Sequence, residues 1–383
     1  MIHKSILSNY YSRKIILLLL IFSISIARDR KHQYRSFNNF INKALNSSKI
    51  AGIGLSIFSS DSILFKKAYG YSDIQSKEKF SLNTVMNIAS ISKTSIGVSI
   101  TYLLEKGLLE LDDDVNNYIP FHIQNPHSKE STITLRNLMS HCSGIIDSPE
   151  IYLSEYHYGK DSPVELGIFL ESYLSKNGKY YSNKNFSSQK PGEEFLYSNI
   201  GSALAAYIVE IISGKPFNIF TKEIIFDNIK MPNTYWFLSN KKKSKHAKLY
   251  TYNSKQKRLD EIDSYGLTTY PDGGLRSSVN DITRYFQYFI NNEFLIGEKI
   301  ISSKGIEGMF SADYFDFYSN FWNIGETIGH GGGDPGVSTG MYYKKKEGIG
   351  YIFMINTSEF LEIDDFEKTI IDFGKFLNYS NSK

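Results

Sequence analysis

Short runs of apolar and β-branched residues near both ends of the chain predict β-hairpins. Residues 51–58 (AGIGLSIF) and 62–70 (SILFKKAYG) are separated by a polar Ser-Ser-Asp turn, so we expect them to pair. Residues 340–346 and 349–356 repeat this pattern around a Glu-Gly pair and predict a second hairpin. Both ends of the chain are therefore expected to contribute strands.

Between and after these hairpins, apolar residues recur at the spacing of a helix. The predicted helices start at Ser90 and stop at Gly107, and then cover residues 134–139, 198–213, 281–290 and 364–377. We expect Asn280 or Asp281 to cap the helix over residues 281–290. The lysine clusters of residues 240–257 are typical of a solvated loop and not of a nucleic-acid site.

Strands at both ends with helices in the middle predict an α/β (α+β) fold. We expect an antiparallel sheet built from the N- and C-terminal segments and covered by helices. A mostly helical part, about residues 90–260, would be inserted into it, and the whole domain would span residues 36–380. A cleft between two such parts is a usual place for a binding or active site.

The first 27 residues have the organisation of a signal peptide. A basic flank with Lys4, Arg13 and Lys14 precedes an apolar run, which ends in Ser-Ile-Ala at residues 25–27. The apolar run is shorter than the about 20 residues that span a membrane. We therefore expect cleavage after residue 27 and a periplasmic or secreted protein. The alternative is an uncleaved leader, which would be the only contact with a membrane.

Composition excludes several classes of function. The chain has 383 residues and a formal net charge of +3, which is too small a basic excess to indicate nucleic-acid binding. Its 41% hydrophobic and 22% charged residues are typical of a globular protein. Cys142 is the only cysteine, which excludes an internal disulfide and a cysteine-rich metal site. Its neighbours from Ser140 to Gly144 indicate a loop, and a catalytic thiol is the weaker interpretation.

A serine followed three residues later by a lysine is a candidate nucleophile with its base. On a helix the two side chains lie on one face, so the lysine can take the serine proton. The pattern begins at six serines, Ser76, Ser90, Ser187, Ser239, Ser254 and Ser380. Only Ser90 follows an apolar approach and opens a long amphipathic helix, which places Lys93 beside it. The alternative is that Ser90 only caps this helix.

A Tyr-x-Asn pattern supplies a second candidate group. A tyrosine near a cation can act as a base, and an asparagine can hold both a lysine and a substrate amide. Tyr-Ser-Asn occurs at Tyr181, Tyr197, Tyr318 and Tyr379. Tyr197 follows a Pro-Gly turn and directly precedes the predicted helix 198–213, so its context selects it together with Asn199.

A glycine-rich stretch, His330 to Gly336 (HGGGDPG), is the third candidate. Four glycines in seven residues let the backbone approach a ligand closely. A backbone N–H there can complete an oxyanion hole with the N–H of Ser90. A plain glycine-rich turn is the alternative, and a phosphate loop is weaker because no G-x-x-x-x-G-K-[ST] pattern is present.

In this order the three patterns resemble the signatures of serine β-lactamases and penicillin-binding proteins, and the Tyr-x-Asn form is similar to the class C branch. Three surrounding blocks also resemble that family: Thr134–Gly144, Pro191–Gly201 and Gly273–Asp281. The resemblance spans roughly Asn39 to Leu377. It implies a β-lactamase/transpeptidase-like fold.

The resemblance also implies a mechanism, with roles assigned by motif. Ser90 attacks a carbonyl, Lys93 and Tyr197 shuttle its proton, and Asn199 orients Lys93 and the substrate. The N–H groups of Ser90 and Gly333 stabilise the oxyanion, and water then hydrolyses the acyl-enzyme. No metal or cofactor is implied, and the partner is a small molecule or peptide with an ester or amide bond.

His330 and Gly332 complete the implied substrate-binding group, and His330 departs from the family pattern. Most β-lactamases carry lysine there, which helps to bind a substrate carboxylate. A histidine with an ordinary pKa near 6.5 is only partly charged at neutral pH, so binding of an anion should weaken between pH 6 and 8. The departure favours an esterase or a D-amino-acid peptidase or carboxypeptidase over a true β-lactamase. A penicillin-binding or peptidoglycan-sensing protein with little turnover is the alternative, and a catalytically inactive scaffold is a third.

Overall fold

The computed structural model describes residues 28–46, 49–243, 246–291, 299–358 and 363–381. The signal peptide predicted for residues 1–27 lies outside them. The helices are α1 (28–46), α2 (Lys93–Glu105), α3 (Leu135–Met139), α4 (Pro149–Ser154), α5 (Leu166–Leu174), α6 (Asn199–Ser213), α7 (Phe217–Thr221), α8 (Val279–Ile290), α9 (Ser303–Met309) and α10 (Ile363–Asn381). The strands are β1 (Gly52–Phe58), β2 (Ile63–Asp73), β3 (Glu78–Lys79), β4 (Met86–Asn87), β5 (Tyr156–Tyr158), β6 (Leu249–Asn253), β7 (Arg258–Ile262), β8 (Tyr265–Leu267), β9 (Arg276–Ser277), β10 (Tyr318–Ser319), β11 (Trp322–Asn323), β12 (Thr327–Asp334), β13 (Val337–Lys344) and β14 (Ile349–Ile355).

An eight-stranded antiparallel sheet joins the two ends of the chain. Its strand order is β10-β11-β12-β13-β14-β1-β2-β3, and the pair β1–β14 connects the N-terminal hairpin to the C-terminal strands. Both predicted hairpins are present, and β2 continues three residues further than expected, to Asp73. Helices cover the sheet on both faces, as the predicted α/β (α+β) fold requires.

Residues of β1 alternate between two apolar cores, because successive side chains of a strand point to opposite faces. Ile53, Leu55 and Ile57 lie in a core that α1 and α10 close from outside. Here Phe37 of α1 stacks on Phe373 of α10 with ring centroids 4.2 Å apart. The opposite face packs on α8 and on the larger core. The segment that contains Ser90 therefore packs on a sheet that is held on both faces.

The chain between β3 and β10 is mostly helical, with three two-stranded sheets, β4–β9, β5–β8 and β6–β7. The boundaries of an inserted helical part at about residues 90–260 stay a prediction. Across the described residues, no single helix has the length and hydropathy needed to cross a membrane. Within the described residues, α6 and Phe217–Phe226 meet the length and hydropathy conditions together as a pair, and this pair is bent by 80°.

Most of the predicted helices are present, and two details of them are corrected. Ser90 does not open the α-helix: it lies in a 3₁₀ turn, Ala89–Ser92, and α2 begins at Lys93. The reason is the left-handed backbone of Ala89, whose φ of 49° cannot belong to a right-handed helix. The cap of α8 is Ser278, whose Oγ accepts from the N–H of Asp281, because the helix starts two residues earlier than predicted.

Several further elements were not predicted, and two of them are α1 and β6. The described N-terminal residues 28–46 are helical. The lysine-rich stretch 240–257 contains strand β6, which pairs with β7, and its residues 244–245 lie outside the described chain. The run Leu-Tyr-Thr-Tyr in β6 has high strand propensity, and this outweighs the neighbouring lysines.

Candidate active site

Ser90 lies in a turn that is tied to the loop in front of β9. The Oγ of Ser92 donates to the carbonyl of Ala89 (2.6 Å) and accepts from the N–H of Leu275 (3.1 Å). The N–H of Ile88 donates to the carbonyl of Leu275 (2.9 Å). Ser90 itself remains partly exposed, whereas its neighbours on both sides are buried. These bonds hold the left-handed residue Ala89 in place and present the Ser90 hydroxyl to the cleft.

Lys93 is fully buried and its ammonium group donates three hydrogen bonds. The acceptors are the Oγ of Ser90 (3.0 Å), the Oδ1 of Asn199 (2.7 Å) and the backbone carbonyl of Asp272 (2.7 Å). An ammonium group has three N–H donors, so each has a partner. The predicted Ser-x-x-Lys pair is thus in direct contact, and Lys93 is within reach of the Ser90 proton.

Asp272 was not predicted as a site residue. Both its backbone carbonyl and its carboxylate take part in hydrogen bonds near Lys93. Its carbonyl binds Lys93, while its buried carboxylate accepts from the hydroxyl of Tyr152 (3.0 Å). Burial raises the pKa of Asp272 to about 7, and the positive charge of Lys93 opposes that rise. The buried guanidinium of Arg276 holds this loop by donating to the carbonyls of Gly274 (2.9 Å), Tyr265 and Trp236.

Asn199 is the first residue of α6, and the start of this helix is capped twice. The hydroxyl of Ser198 accepts from the N–H of Gly201 (2.9 Å). The carboxylate of Asp147 accepts from the N–H groups of Asn199 (2.7 Å) and Ile200 (3.1 Å). A carboxylate at a helix N-terminus also interacts favourably with the helix dipole. The amide of Asn199 therefore projects toward Lys93 from a fixed helix end.

Tyr197 lies at the edge of the cleft, with 40% of its side chain exposed. The Nζ of Lys93 is 5.0 Å from the centroid of its ring. The ring of His141 packs against the same tyrosine with centroids 4.1 Å apart. The structure therefore brings Tyr197, Lys93 and Asn199 together, as the sequence predicts. It places the tyrosine beside the ammonium group, whose three hydrogen bonds go to other residues.

The glycine-rich candidate is a strand and not a turn. His330 to Asp334 belong to β12, and the turn comes after them, before β13. A Cβ on Gly332 would lie 2.4 Å from the carbonyl oxygen of Ile88, whereas one on Gly333 would meet nothing within 4 Å. The hydroxyl of Thr339 donates to the same carbonyl of Ile88 (2.9 Å). The strand thus runs directly past the turn that contains Ser90.

His330 is buried in the site, and its expected partial charge at neutral pH is wrong. The pKa of His330 is lowered to about 4, chiefly by desolvation and also by the positive charge of Lys93, while the hydrogen bond to Gly331 opposes this shift. Its Nδ1 hydrogen-bonds to the carbonyl of Gly331 (2.6 Å), so this nitrogen bears the proton of the neutral ring. Its Nε2 then accepts from the hydroxyl of Tyr318 (3.1 Å). The neutral ring gives no basis for a change in anion binding between pH 6 and 8.

A second carboxylate, Asp334, follows Gly333 at the end of β12. It accepts from the hydroxyl of Tyr156 (2.5 Å), and its Oδ2 lies 3.9 Å from the Cβ position of Gly273. The same Cβ position is 3.9 Å from the carbonyl carbon of Ala89. Burial raises the pKa of Asp334 to about 6. Two carboxylates, Asp272 and Asp334, thus lie close to the Ser90 turn, each with a tyrosine hydroxyl as donor.

The predicted residues converge on one place with the parts needed for acyl transfer. They comprise a partly exposed hydroxyl, a lysine in contact with it, an adjacent tyrosine and asparagine, and the strand backbone at Gly333, whose Cβ position is open. Among the described residues, no group of three or more His, Cys, Asp or Glu side chains is placed to hold a metal ion. Cys142 is buried and burial raises the pKa of its thiol to about 11, which agrees with the expectation that it is no nucleophile.

The open sheet flanked by helices, with a serine–lysine pair at its edge, defines a β-lactamase/transpeptidase-like fold. The family model described as Beta-lactamase matches residues 37–372. The chain therefore belongs to the Beta-lactamase family, a family of serine hydrolases. This confirms the resemblance on which the predicted fold rests.

Known relatives of the chain are distant. Protein flp of Staphylococcus aureus (strain MRSA252) is 23% identical over 331 residues, which cover 84% of this chain and 62% of that protein. Penicillin-binding protein 4* of Bacillus subtilis (strain 168) is 26% identical over 322 residues, which cover 79% of this chain and 67% of that one. This chain thus spans less than two thirds of the length of Protein flp.

A solved structure shows the same fold at low identity. D-amino acid amidase from Ochrobactrum anthropi SV3, complexed with L-phenylalanine amide, superposes with a TM-score of 0.68. The match covers 91% of this chain and 99% of the amidase, at 16% sequence identity. At that identity the likeness concerns the fold alone.

Proposed function

We propose that this protein is an exported serine hydrolase that forms an acyl-enzyme on Ser90 and cleaves an ester or amide bond. The observation that supports this most directly is the contact between the Nζ of Lys93 and the Oγ of Ser90 (3.0 Å). A base must be within hydrogen-bond reach of the proton that it removes, and this pair meets that condition. The third acceptor of Lys93, the carbonyl of Asp272, fixes the direction of the ammonium group.

In the proposed reaction, Lys93 and Tyr197 together accept the proton of Ser90 while the Oγ bonds to the carbonyl carbon. The electron pair of the carbonyl moves onto its oxygen, where the N–H groups of Ser90 and Gly333 stabilise the negative charge. The carbon–oxygen or carbon–nitrogen bond then breaks, and the leaving group receives a proton by way of Lys93 and Tyr197. Water attacks the acyl-enzyme in the same way, which releases the acid and restores Ser90.

The charges around the site favour an esterase, amidase or D-amino-acid peptidase over a true β-lactamase. His330 is neutral at pH 7, so no cation stands at the place where the family lysine assists binding of a substrate carboxylate. Near the site, Asp334 with a pKa of about 6 adds negative charge at pH 7, and Asp272 with a pKa of about 7 is partly charged. An anionic substrate would therefore meet negative charge with no cation at the His330 position to offset it. The likeness to a D-amino acid amidase is consistent with this choice.

Hydrolysis of p-nitrophenyl butyrate and of D-amino-acid amides by the purified protein tests the proposal. We expect turnover, covalent labelling of Ser90 by a fluorophosphonate, and loss of both in Ser90→Ala. Ser99→Ala is a matched control, because Ser99 is a buried serine of α2 whose hydroxyl donates only to the carbonyl of Ser95 (2.7 Å). Full activity in Ser90→Ala would overturn the proposal.

A protein that is acylated by penicillin but turns over slowly is the second candidate, and the similarity to penicillin-binding protein 4* favours it. Incubation with a fluorescent penicillin separates the two functions. A stable adduct on Ser90 without released product indicates the slow protein, and rapid product release indicates a true β-lactamase. The absence of both adduct and product indicates a hydrolase for other substrates. The export part of the proposal rests on residues 1–27, and the mass of the N-terminus after expression in a secreting host tests it.

A further inference from the structure

We propose that His141 is the positioning residue for Tyr197: it holds the tyrosine ring beside Lys93 by binding the backbone on both sides of it and by packing against it. This inference rests on the proposed function, in which Tyr197 takes part in proton transfer. The proposed reaction assigns no step to His141.

Two hydrogen bonds join His141 to the residues on either side of Tyr197. The N–H of Leu196 donates to the carbonyl of His141 (2.6 Å), and the N–H of Ser198 donates to the Nδ1 of its ring (3.2 Å). The first bond binds the peptide group between Phe195 and Leu196, and the second binds the peptide group between Tyr197 and Ser198. Since φ and ψ of Leu196 and of Tyr197 lie between these two peptide groups, the bonds restrain the direction in which the tyrosine side chain leaves the backbone.

The imidazole of His141 also packs against the ring of Tyr197. The rings of His141 and Tyr197 are tilted by 38° with centroids 4.1 Å apart. The imidazole also packs against the rings of Tyr318 (5.1 Å), Phe321 (5.5 Å) and Phe195 (5.9 Å). His141 is 1% exposed whereas Tyr197 is 40% exposed, so the histidine is the fixed partner of the pair.

His141 is itself anchored to a short, well-capped helix. Its N–H donates to the carbonyl of Leu138 (3.2 Å) at the end of α3. The start of α3 is closed by a capping box between Thr134 and Asn137. The backbone of His141 is left-handed, with φ of 50°, a conformation that costs energy in a residue other than glycine. Such strain at a buried position is common where a side chain must have one particular direction.

A neutral histidine is suited to this task, whereas phenylalanine is not. Because Nδ1 accepts a hydrogen bond, the ring proton is on Nε2, and desolvation lowers the pKa of His141 well below its usual range. Phenylalanine could pack in the same way but would leave the buried N–H of Ser198 without its acceptor. Asparagine tolerates a left-handed backbone and can offer an oxygen to this N–H, so it should restore part of the function without the ring.

Steady-state kinetics with p-nitrophenyl butyrate on the full chain test this inference with His141→Ala, His141→Asn and both changes in a Tyr197→Phe background. We expect kcat of His141→Ala to fall by about 10- to 100-fold, as for a misplaced catalytic group. KM should change by less than about threefold, because binding of the ester is not the affected step. His141→Asn should recover part of kcat.

In the Tyr197→Phe background, His141→Ala should lower kcat by no more than about twofold further, because two residues that act through one step are not additive. Ile370→Ala in α10 is the control for lost stability, since Ile370 is fully buried in the core on the other face of the sheet. An equal loss of kcat from Ile370→Ala, or a full further loss in the Tyr197→Phe background, would overturn the inference. If kcat is unchanged in His141→Ala while Ser90→Ala is inactive, the inference about His141 is overturned and the proposed function stands. If Ser90→Ala is active, the proposed function itself fails.

Discussion

Gly332 and Gly333 are neighbours in β12, yet only the first is enclosed. A Cβ on Gly332 would lie 2.3 Å from the Oγ1 of Thr339 and 2.4 Å from the carbonyl oxygen of Ile88. Both contacts are far shorter than van der Waals distance, and the second is to backbone, so the strand or the turn before Ser90 must move. We expect Gly332→Ala to lower the free energy of unfolding by about 1–3 kcal/mol, the usual cost of overpacking.

Gly333→Ala is the matched control for this change, because nothing lies within 4 Å of its Cβ position. Its free energy of unfolding should stay within about 0.5 kcal/mol of the parent value, as for most surface substitutions. Urea denaturation followed by circular dichroism measures both variants. Equal stability of the two variants would contradict the close approach of β12 to the Ser90 turn.

At the residue scale, the sequence identifies side chains but not the backbone groups that act with them. Ser90, Lys93 and Asn199 were found from motifs, and they are in contact. The third acceptor of Lys93 is the carbonyl of Asp272, which any residue type could supply, so no pattern of side chains marks it. The charge of His330 was misjudged for a related reason, since its pKa depends on burial that the sequence does not display.

The N-terminus of α6 determines where the side chain of Asn199 lies, because Asn199 is the first residue of this helix. Asp147 accepts from three donors there, the N–H groups of Asn199 and Ile200 and the hydroxyl of Ser198. Hydrogen bonds to a charged group contribute about 1.5–3 kcal/mol each. We expect Asp147→Ala to lower the free energy of unfolding by about 2–4 kcal/mol and to reduce kcat on an ester substrate, because the amide of Asn199 loses its fixed position.

Asp114→Ala provides the comparison for this helix cap. Asp114 caps the short 3₁₀ helix Val115–Asn117 by accepting from the N–H of Asn116 (2.8 Å), and it contacts none of the site residues named above. Its loss should cost about 1 kcal/mol of stability, with kcat unchanged. The two measurements are thermal or urea unfolding and steady-state ester hydrolysis. A normal kcat in a folded Asp147→Ala variant would show that this cap does not position Asn199.

The elements found from the sequence are those with a strong local pattern. Helices α3 and α6 were predicted almost to the residue, because Thr134 caps the first and Gly214 ends the second in a left-handed conformation. The strand β12 was not recognised, since Gly331 to Gly333 have low strand propensity. Its pairing with β13 overrides that preference through tertiary contacts, which a local pattern does not contain.

At the scale of the whole molecule, the pairing of β1 with β14 makes the two chain ends into one sheet. This was predictable, because each hairpin leaves strand edges that need a partner. The contacts around Lys93 were harder to predict, because they join Ser90, Asn199 and Asp272 from separate parts of the chain. Only the order of the motifs and their resemblance to a known family indicated that these segments meet.

The same convergence buries several ionisable groups together, which links the stability of the whole protein to pH. Burial raises the pKa of Asp334 to about 6 from a model-compound value of 3.8. The folded state therefore binds more protons than the unfolded state between these two pH values. Stability contributed by this group is present below pH 3.8 and is lost as pH rises to about 6. Asp272, whose pKa is raised to about 7, acts in the same direction.

Asp334→Asn isolates one of these contributions, since asparagine keeps an oxygen for the hydroxyl of Tyr156 but cannot ionise. We expect the free energy of unfolding of Asp334→Asn to rise relative to the parent by up to about 3 kcal/mol between pH 4 and pH 8, since each pKa unit corresponds to about 1.36 kcal/mol. The buried histidines are common to both proteins and cancel in this difference. Asp61→Asn is the control, because the hydroxyl of Ser59 lowers the pKa of exposed Asp61 below its ordinary value of 3.8. Its difference from the parent should therefore not rise between pH 4 and pH 8. Urea unfolding at a series of pH values measures the free energy of unfolding of both variants and of the parent. If the difference between Asp334→Asn and the parent stays flat or falls with pH, burial does not raise the pKa of Asp334.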